Sequence, residues 1–489
     1  MGNINDDPTP NRSADRPAPR VPGMALETGV KSFLAQPRWV INSLLLLIFS
    51  AAWIRDVIYW FPKDAFGTGL DYWAYTDWLI DYSQGFIRRG LSGELWHLLP
   101  SGIPPLEAVA VLSWILILAV ACGYVRLLAR SWKTLHPLTM FGLLFLPSLL
   151  FFYLHDHSAI ARKEILGYIT VLLHLLVVEK AFPLGAGSTL NLRRYVGWLI
   201  PISVIVLPAI ILVHEGNFLL FVPLHALITL SVLRMKPERT LAQAALWSGL
   251  LYLPAALAFG AVYLAGTPSY STLLGICNKW LAAGALQDSS CMLPPDKLSG
   301  STLPGAFIPM QWSLGKAVYI TRVIISMNWA AWFLILPALG VSIWYLVRQI
   351  VYSILRSRSA ASFDPQSAQR YAGVFFRKYF LIPFLFSLPV YATAYDYGRW
   401  FTVTCVNFAL LAVSANLPCQ EFALGKQGAD GGPVAANSPE HLDHRLVFYG
   451  ASIVICVLAL VLWLPHYCLF SCDIVQSPLQ FFSHAFYAH

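Results

Sequence analysis

Charge is what this chain has least of. Of its 489 residues only 12% are Asp, Glu, Lys or Arg, about half the roughly 25% of an ordinary soluble domain. So few charges cannot clothe a water-facing surface, which excludes a soluble globular enzyme. Nucleotide-binding signatures are missing too. No Walker A sequence, no GxGxxG placed between strand and helix and no GxSxG occurs. An ATP-driven pump and any enzyme with its own soluble nucleotide-binding domain are therefore disfavoured. The eight cysteines contain no CxxC pair and no zinc spacing. No internal repeat stands out, and nothing in residues 1–23 (MGNINDDPTPNRSADRPAPRVPG) reads as a signal peptide; that stretch is polar, Pro-rich and expected to be disordered.

What is present is apolar. The chain is 57% hydrophobic with a mean hydropathy of +0.60, the composition of a polytopic membrane protein. Its 17 Trp, 22 Tyr and 29 Phe suit aromatic belts at both interfaces. Apolar runs near span length, about 20 residues, predict an all-α bundle of about eleven transmembrane helices. They fall near 39–54, 105–127, 137–154, 164–182, 195–214, 217–233, 243–265, 328–347, 378–394, 400–416 and 447–465. Residues 315–327 either extend the eighth helix or form an interfacial segment.

Lysines and arginines orient the bundle. Arg12, Arg16, Arg20, Lys31 and Arg38 precede the first span; Arg126, Arg130 and Lys133, then Arg193 and Arg194, then Arg234, Lys236 and Arg239, then Arg348 to Lys378 occupy alternate loops. The positive-inside rule places all of these in the cytoplasm, with the N-terminus inside and the C-terminus outside. The expected organisation is a cytoplasmic segment 1–38, a transmembrane domain 39–465 and an outer tail 466–489. Outer loops cover 55–104, 155–164, 266–314 and 395–400, and a cytoplasmic linker lies near 418–446. Cys277 and Cys291 in one outer loop, and Cys468 and Cys472 in the tail, are candidate disulfides on an oxidising face; Cys122, Cys405 and Cys456 lie in apolar helices.

This topology sends every polar, motif-like stretch to one face: LDYWAYTDWLIDYSQGFIRRG (70–90), HDHSAIARKE (155–164), HEGN (214–217) and AYDYGRW (394–400). Charges that merely mark helix ends and snorkel to headgroups would be spread over both faces. In the first loop, Asp71, Asp77 and Asp81 are candidate general bases. Asp77 and Asp81 are four apart among aromatics, a spacing that suits amphipathic interfacial helices. Arg88 and Arg89 offer guanidinium forks to a phosphate, or else pair with those aspartates and brace the loop. The second loop contributes His155, His157, Arg162, Lys163 and Glu164. Its basic pair suits phosphate; its His-Asp-His run suits a divalent metal (Mg or Mn) poorly, because three adjacent residues rarely point at one centre. His214 and Glu215 sit at a helix mouth. Asp396 and Arg399, three apart, either pair or face the same anion as Arg88.

This plan of many helices and a first outer loop rich in carboxylates resembles the GT-C class of membrane glycosyltransferases and the polytopic bacterial polysaccharide polymerases. The likeness covers the overall plan, best over the first 220 residues. It lacks a DxD pair in the first loop and a large soluble C-terminal domain. The resemblance implies a polyprenyl-linked sugar donor, a glycan or lipid-linked acceptor, and a site facing the periplasm or exterior of a bacterial inner membrane. It implies an acidic base in the first outer loop, with Asp71 the leading match and Asp77 next. Membrane lipids and polysaccharide export or assembly proteins are the expected partners, and nucleic acid is not. Three other readings compete: a secondary transporter or flippase, an acyltransferase using His155 or His214, and a scaffold of an export complex.

Overall fold

The computed structural model describes residues 37–65, 72–98, 100, 103–156, 159–181, 191–236, 238–286, 291, 306–358, 365–394, 396–414 and 418–419. Segment 1–36, the span expected near 447–465, nearly all of the linker near 418–446 and the tail 466–489, with Cys456, Cys468 and Cys472, lie outside them. Every regular element among the described residues is helical. In chain order these are α1 (Arg38–Ala65), α2 (Tyr72–Thr76), α3 (Gly90–Trp96), α4 (Pro105–Ala129), α5 (Pro137–Phe145), α6 (Phe152–His155), α7 (Ile165–Ala181), α8 (Leu192–Pro201), α9 (Leu207–Val213), α10 (Gly216–Arg234), α11 (Leu241–Ala265), α12 (Tyr270–Ala282), α13 (Leu314–Arg358), α14 (Pro365–Phe376), α15 (Ile382–Thr393) and α16 (Tyr397–Val413). Among the described residues, seven helical stretches are long and apolar enough to cross a membrane: 38–62, 105–129, 192–213, 216–234, 241–265, 335–357 and 366–393. Their flanks expose large apolar side chains, such as Leu47 at 65% and Leu257 at 64%, as helices bathed in lipid do.

Prolines shape the two compound spans. A π-helical turn at Ile202–Val206 joins α8 to α9, and another at Arg377–Leu381 joins α14 to α15. Each precedes a proline, Pro208 or Pro383, whose ring would clash with the carbonyl four residues back and which brings no N–H. Widening the preceding turn relieves the clash without ending the helix. Residues 315–327 are part of one 45-residue helix, α13, whose span-like stretch is shifted to 335–357 from the 328–347 read in the sequence.

Segment 137–154 corrects the sequence reading, because it is not one helix. α5 ends after Phe145, and Leu146 is extended (ψ 129°), as a residue before proline prefers. The chain then descends through short turns, with Leu149 N–H donating to Leu146 O and Phe152 N–H to Leu149 O, both at 2.9 Å. Irregular backbone inside a bundle is tolerated only where protein surrounds it, and here Leu146, Leu149, Leu150, Phe151 and Phe152 are all fully buried.

Two apolar cores result. The larger runs through the bundle. The smaller joins the first loop (Tyr75, Trp78, Leu79, Ile80, Ile87) to α12 (Leu273, Ile276, Trp280) and to Phe307 and Met310. It contains the disulfide Cys277–Cys291, one of the two candidate pairs. This second core caps one end of the bundle. The short helices expected to lie amphipathically in the interface are instead packed into it, with Asp77, Trp78 and Leu79 buried.

Candidate functional site

Between cap and bundle lies a cavity of about 660 Å³. Its lining comes from the segment between α2 and α3, the turn before α7, the junction of α9 and α10, the end of α11 and the start of α16. Ten of the candidate residues line it: Asp77, Arg88, Arg89, Arg162, Lys163, Glu164, His214, Glu215, Asp396 and Arg399. Apolar side chains of the bundle helices line it too, with Leu219 on α10, Phe259 and Val262 on α11, Leu314 on α13 and Val390 on α15. Aromatic side chains at its edge, Tyr263, Trp312 and Trp400, carried no special signal in the sequence.

The two adjacent arginines are largely occupied by the protein itself. Arg89 Nε donates to both oxygens of Glu215 (3.1 and 3.0 Å), Nη2 donates to Glu215 Oε1 (2.9 Å) and Nη1 to Asp77 Oδ1 (3.3 Å). Arg88 Nη2 donates to the carbonyls of Pro309 and Met310 at 2.9 and 2.8 Å, tying the first loop to the cap. Its Nη1 stands 3.7 Å from Glu215 and its Nε stays unpaired. The phosphate role expected of the pair is thus not what the contacts of Arg89 favour. Arg89 in particular braces the loop, and the backbone bears this out. It is the only non-glycine with positive φ among the described residues (66°), a strained geometry for a bulky side chain held by its carboxylate partners. The neighbouring glycines are structural as well. A side chain on Gly90 would strike the Tyr82 ring, and one on Gly93 the Ile80 carbonyl.

Asp77 is similarly engaged. Lys163, fully buried, donates to the Asp77 carbonyl at 2.7 Å and pairs with its Oδ2 at 3.2 Å. Burial alone would raise the Asp77 carboxyl, but Lys163, then Arg89, His214 and Arg162 outweigh it and hold it far below the usual range. Burial also lowers the Lys163 ammonium to about 8 against the pull of Asp77. Glu215 is held well below normal for the same reason, its burial outweighed chiefly by Arg89.

Arg162 and Glu164 differ from these. Among the described residues Arg162 has no ion-pair partner, and its Nε is buried without a hydrogen-bond acceptor. The Glu164 side chain is 2% exposed, and its nearest charged neighbours are His214 Nε2 at 3.5 Å and Arg399 Nη1 at 3.7 Å. Neither Glu164 oxygen accepts a hydrogen bond from another residue. Burial opposes its ionisation, and Arg399 and His214 more than offset this, so the carboxyl lies below its ordinary value. Gly216 N–H donates to His214 Nδ1 at 3.1 Å, which leaves the neutral ring's proton on Nε2, facing Glu164. Burial first, then Arg89, pushes His214 down to about 4. Asp396 and Arg399 form the local ion pair, while the Arg399 guanidinium also stacks over Trp400 at 4.2 Å and lines the cavity.

No known family, curated protein or solved structure matches this chain. The site therefore has to be judged by its own geometry.

Some expected residues are not brought together. Asp81 leaves Asp77 because Ile80 is extended (ψ 121°), which breaks the four-residue helical relation. Its Oδ1 accepts from Ser83, and its Oδ2 meets His97 at 2.8 Å and Lys279 at 3.1 Å, away from the cavity. Asp71, His157 and the side chain of His155 lie outside the described residues, as does any metal site they would form. Among the described residues no group of three or more metal-ligating side chains occurs. One cluster escaped the sequence reading. His174 and His225 stack within the bundle with their Nδ1 atoms 2.8 Å apart, and His174 Nε2 meets Tyr195 OH at 2.8 Å. The available signal was one histidine in each of two otherwise apolar runs, ITVLLHLLVV and FVPLHALITL.

Proposed function

We propose that this protein is a membrane glycosyltransferase or polysaccharide polymerase that transfers a sugar or glycan from a polyprenyl-(pyro)phosphate carrier to an acceptor on the outer face of the membrane. One observation carries the reading: the same cavity is lined both by a cluster of charged side chains and by apolar side chains of the bundle helices. Five basic side chains (Arg88, Arg89, Arg162, Lys163, Arg399) meet four carboxylates (Asp77, Glu164, Glu215, Asp396) there, leaving one positive charge in excess while His214 is neutral. An amphiphile with an anionic head and a hydrocarbon tail suits both kinds of lining at once. Nucleotide sugars stay in the cytoplasm, so a transferase on the other face needs a lipid-linked donor.

Arg162 is the residue assigned to the phosphate, with Arg88 Nε as a second contact. Positive charge there stabilises the phosphate as it leaves, an interaction stronger in the transition state than in the ground state. The basic loops at the opposite end of the bundle support an outward-facing site. Any divalent cation would add to the same electrostatic task.

A secondary transporter or flippase is the second reading, favoured by the intramembrane chain His225–His174–Tyr195–Thr229–Tyr252. Polar side chains at such depth line substrate or proton paths in transporters. The deciding experiment presents polyprenyl-phosphate and polyprenyl-pyrophosphate hexoses to the full chain in nanodiscs. Binding and release of the free polyprenyl phosphate or pyrophosphate are followed for wild type and Arg162→Ala. Release by wild type, with roughly 10- to 100-fold weaker binding by Arg162→Ala, is expected for loss of a charged hydrogen bond. Binding without release, with movement of the lipid between leaflets of a liposome, would make the protein a flippase.

A further inference from the structure

We infer that Glu164, not a carboxylate of the first outer loop, accepts the proton of the attacking hydroxyl. The assignment rests on the glycosyl-transfer reading above. It follows from comparing the four carboxylates of the cavity. Glu215 is taken up by the Arg89 fork, Asp77 by Lys163 and Arg89, and Asp396 by Arg399. Glu164 is as deeply buried as any of them, yet neither of its oxygens accepts a hydrogen bond from another residue. A buried carboxylate left in that condition is costly to fold around, and the missing donor is what a ligand hydroxyl supplies.

The surroundings hold Glu164 ready without satisfying it. It immediately precedes α7, where the helix N-terminus favours negative charge. Its own carbonyl accepts from Gly167 N–H at 2.9 Å, which fixes its backbone in the first turn. Arg399 and His214 flank the carboxylate at 3.7 and 3.5 Å and act as positioning residues. Two positions away in sequence, Arg162 lines the same cavity. The turn before α7 thereby presents to one ligand a carboxylate that accepts no hydrogen bond from another residue and a cation with no ion-pair partner among the described residues.

The step balances as follows. The acceptor O–H gives its proton to Glu164 as that oxygen bonds to the anomeric carbon. The bond from the anomeric carbon to the phosphate oxygen breaks, and its electron pair leaves with the polyprenyl phosphate, facing Arg162. Water in place of the sugar acceptor gives hydrolysis by the same proton transfer, so turnover is measurable before the natural acceptor is known.

The test uses the full chain in nanodiscs with the polyprenyl-phosphate hexoses, comparing wild type, Glu164→Gln, Glu164→Ala, Glu164→Asp and Asp77→Asn. Glu164→Gln is expected to keep the donor Kd within about threefold and to lose 10²- to 10⁴-fold in kcat, the range for a general base. Glu164→Asp should recover part of that loss, and added formate should restore turnover to Glu164→Ala, a rescue that a purely structural carboxylate would not show. Retained turnover in Glu164→Gln overturns the assignment. So does a result in which Asp77→Asn binds donor and is inert while formate fails on Glu164→Ala; that outcome returns the base to the first loop and leaves the glycosyl-transfer reading intact. If wild type releases no polyprenyl phosphate or pyrophosphate from any donor, that reading fails and this assignment fails with it.

Discussion

Arg89→Ala gives the sharpest view of what holds the cap on the bundle. The side chain donates three hydrogen bonds at 2.9–3.1 Å to Glu215 and a longer one to Asp77. Removing it leaves Glu215 only the 3.7 Å contact with Arg88 and takes one of two partners from Asp77. Breaking a buried ion pair from one side costs about 3–5 kcal/mol. Arg89 and Glu215 each keep about a fifth of their side-chain surface exposed, 21% and 20%, so the lower end, about 3 kcal/mol, applies. The backbone supplies an internal control. At φ 66° an L-residue other than glycine is disfavoured by about 1–2 kcal/mol. Arg89→Gly, which loses the same charges, should therefore be the milder substitution by about 1 kcal/mol. Adding Glu215→Gln to Arg89→Ala removes a poorly paired carboxylate and should recover about 1 kcal/mol through coupling. Unfolding by SDS in mixed micelles, followed by tryptophan fluorescence, reads wild type and all three variants. An Arg89→Ala protein within about 0.5 kcal/mol of wild type, or an Arg89→Gly protein less stable than Arg89→Ala, would refute the bracing role and free Arg89 for a ligand.

Two further outcomes are expected. A Cβ at Gly167 would overlap the Phe221 ring, so Gly167→Ala should cost about 1–3 kcal/mol as overpacking between α7 and α10; the same unfolding assay should show Phe221→Leu relieving much of it, and an additive double variant would contradict the clash. His214 has a folded value of about 4 against 6.5 when unfolded. Between those values the unfolded chain takes up a proton that the folded protein refuses, so stability falls as pH drops from about 6.5 to 4. Two and a half units at 1.36 kcal/mol each give about 3 kcal/mol. Wild-type unfolding midpoints should lose ground to His214→Gln across that window, and parallel curves would mean that His214 is not held neutral.

How much of this was legible beforehand differs between fold and site. The apolar runs exposed most of the long helices, because burial in lipid needs about 20 apolar residues whatever the neighbours are. They misled at 137–154, where an apolar stretch is buried in protein and Pro147 breaks its helix; periodicity cannot tell a lipid-facing run from an enclosed one. The pairing of Cys277 with Cys291 was among the candidates because both cysteines fall in one loop.

Composition and the spacing of basic residues by themselves determined a helical membrane protein whose polar loops gather at one end, since few charges and long apolar runs leave no other solvent for the chain. Only the tertiary structure decided which charges are spent. Asp77 and Asp81 look equivalent in sequence, yet one extended residue, Ile80, sends them to different partners. Arg88, Arg89 and Arg162 are alike as letters, but Glu215, 126 residues away from Arg89, occupies Arg89, while Arg162 has no ion-pair partner among the described residues. Ion pairing between distant segments depends on separations of a few ångströms, and those are set by how the helices pack.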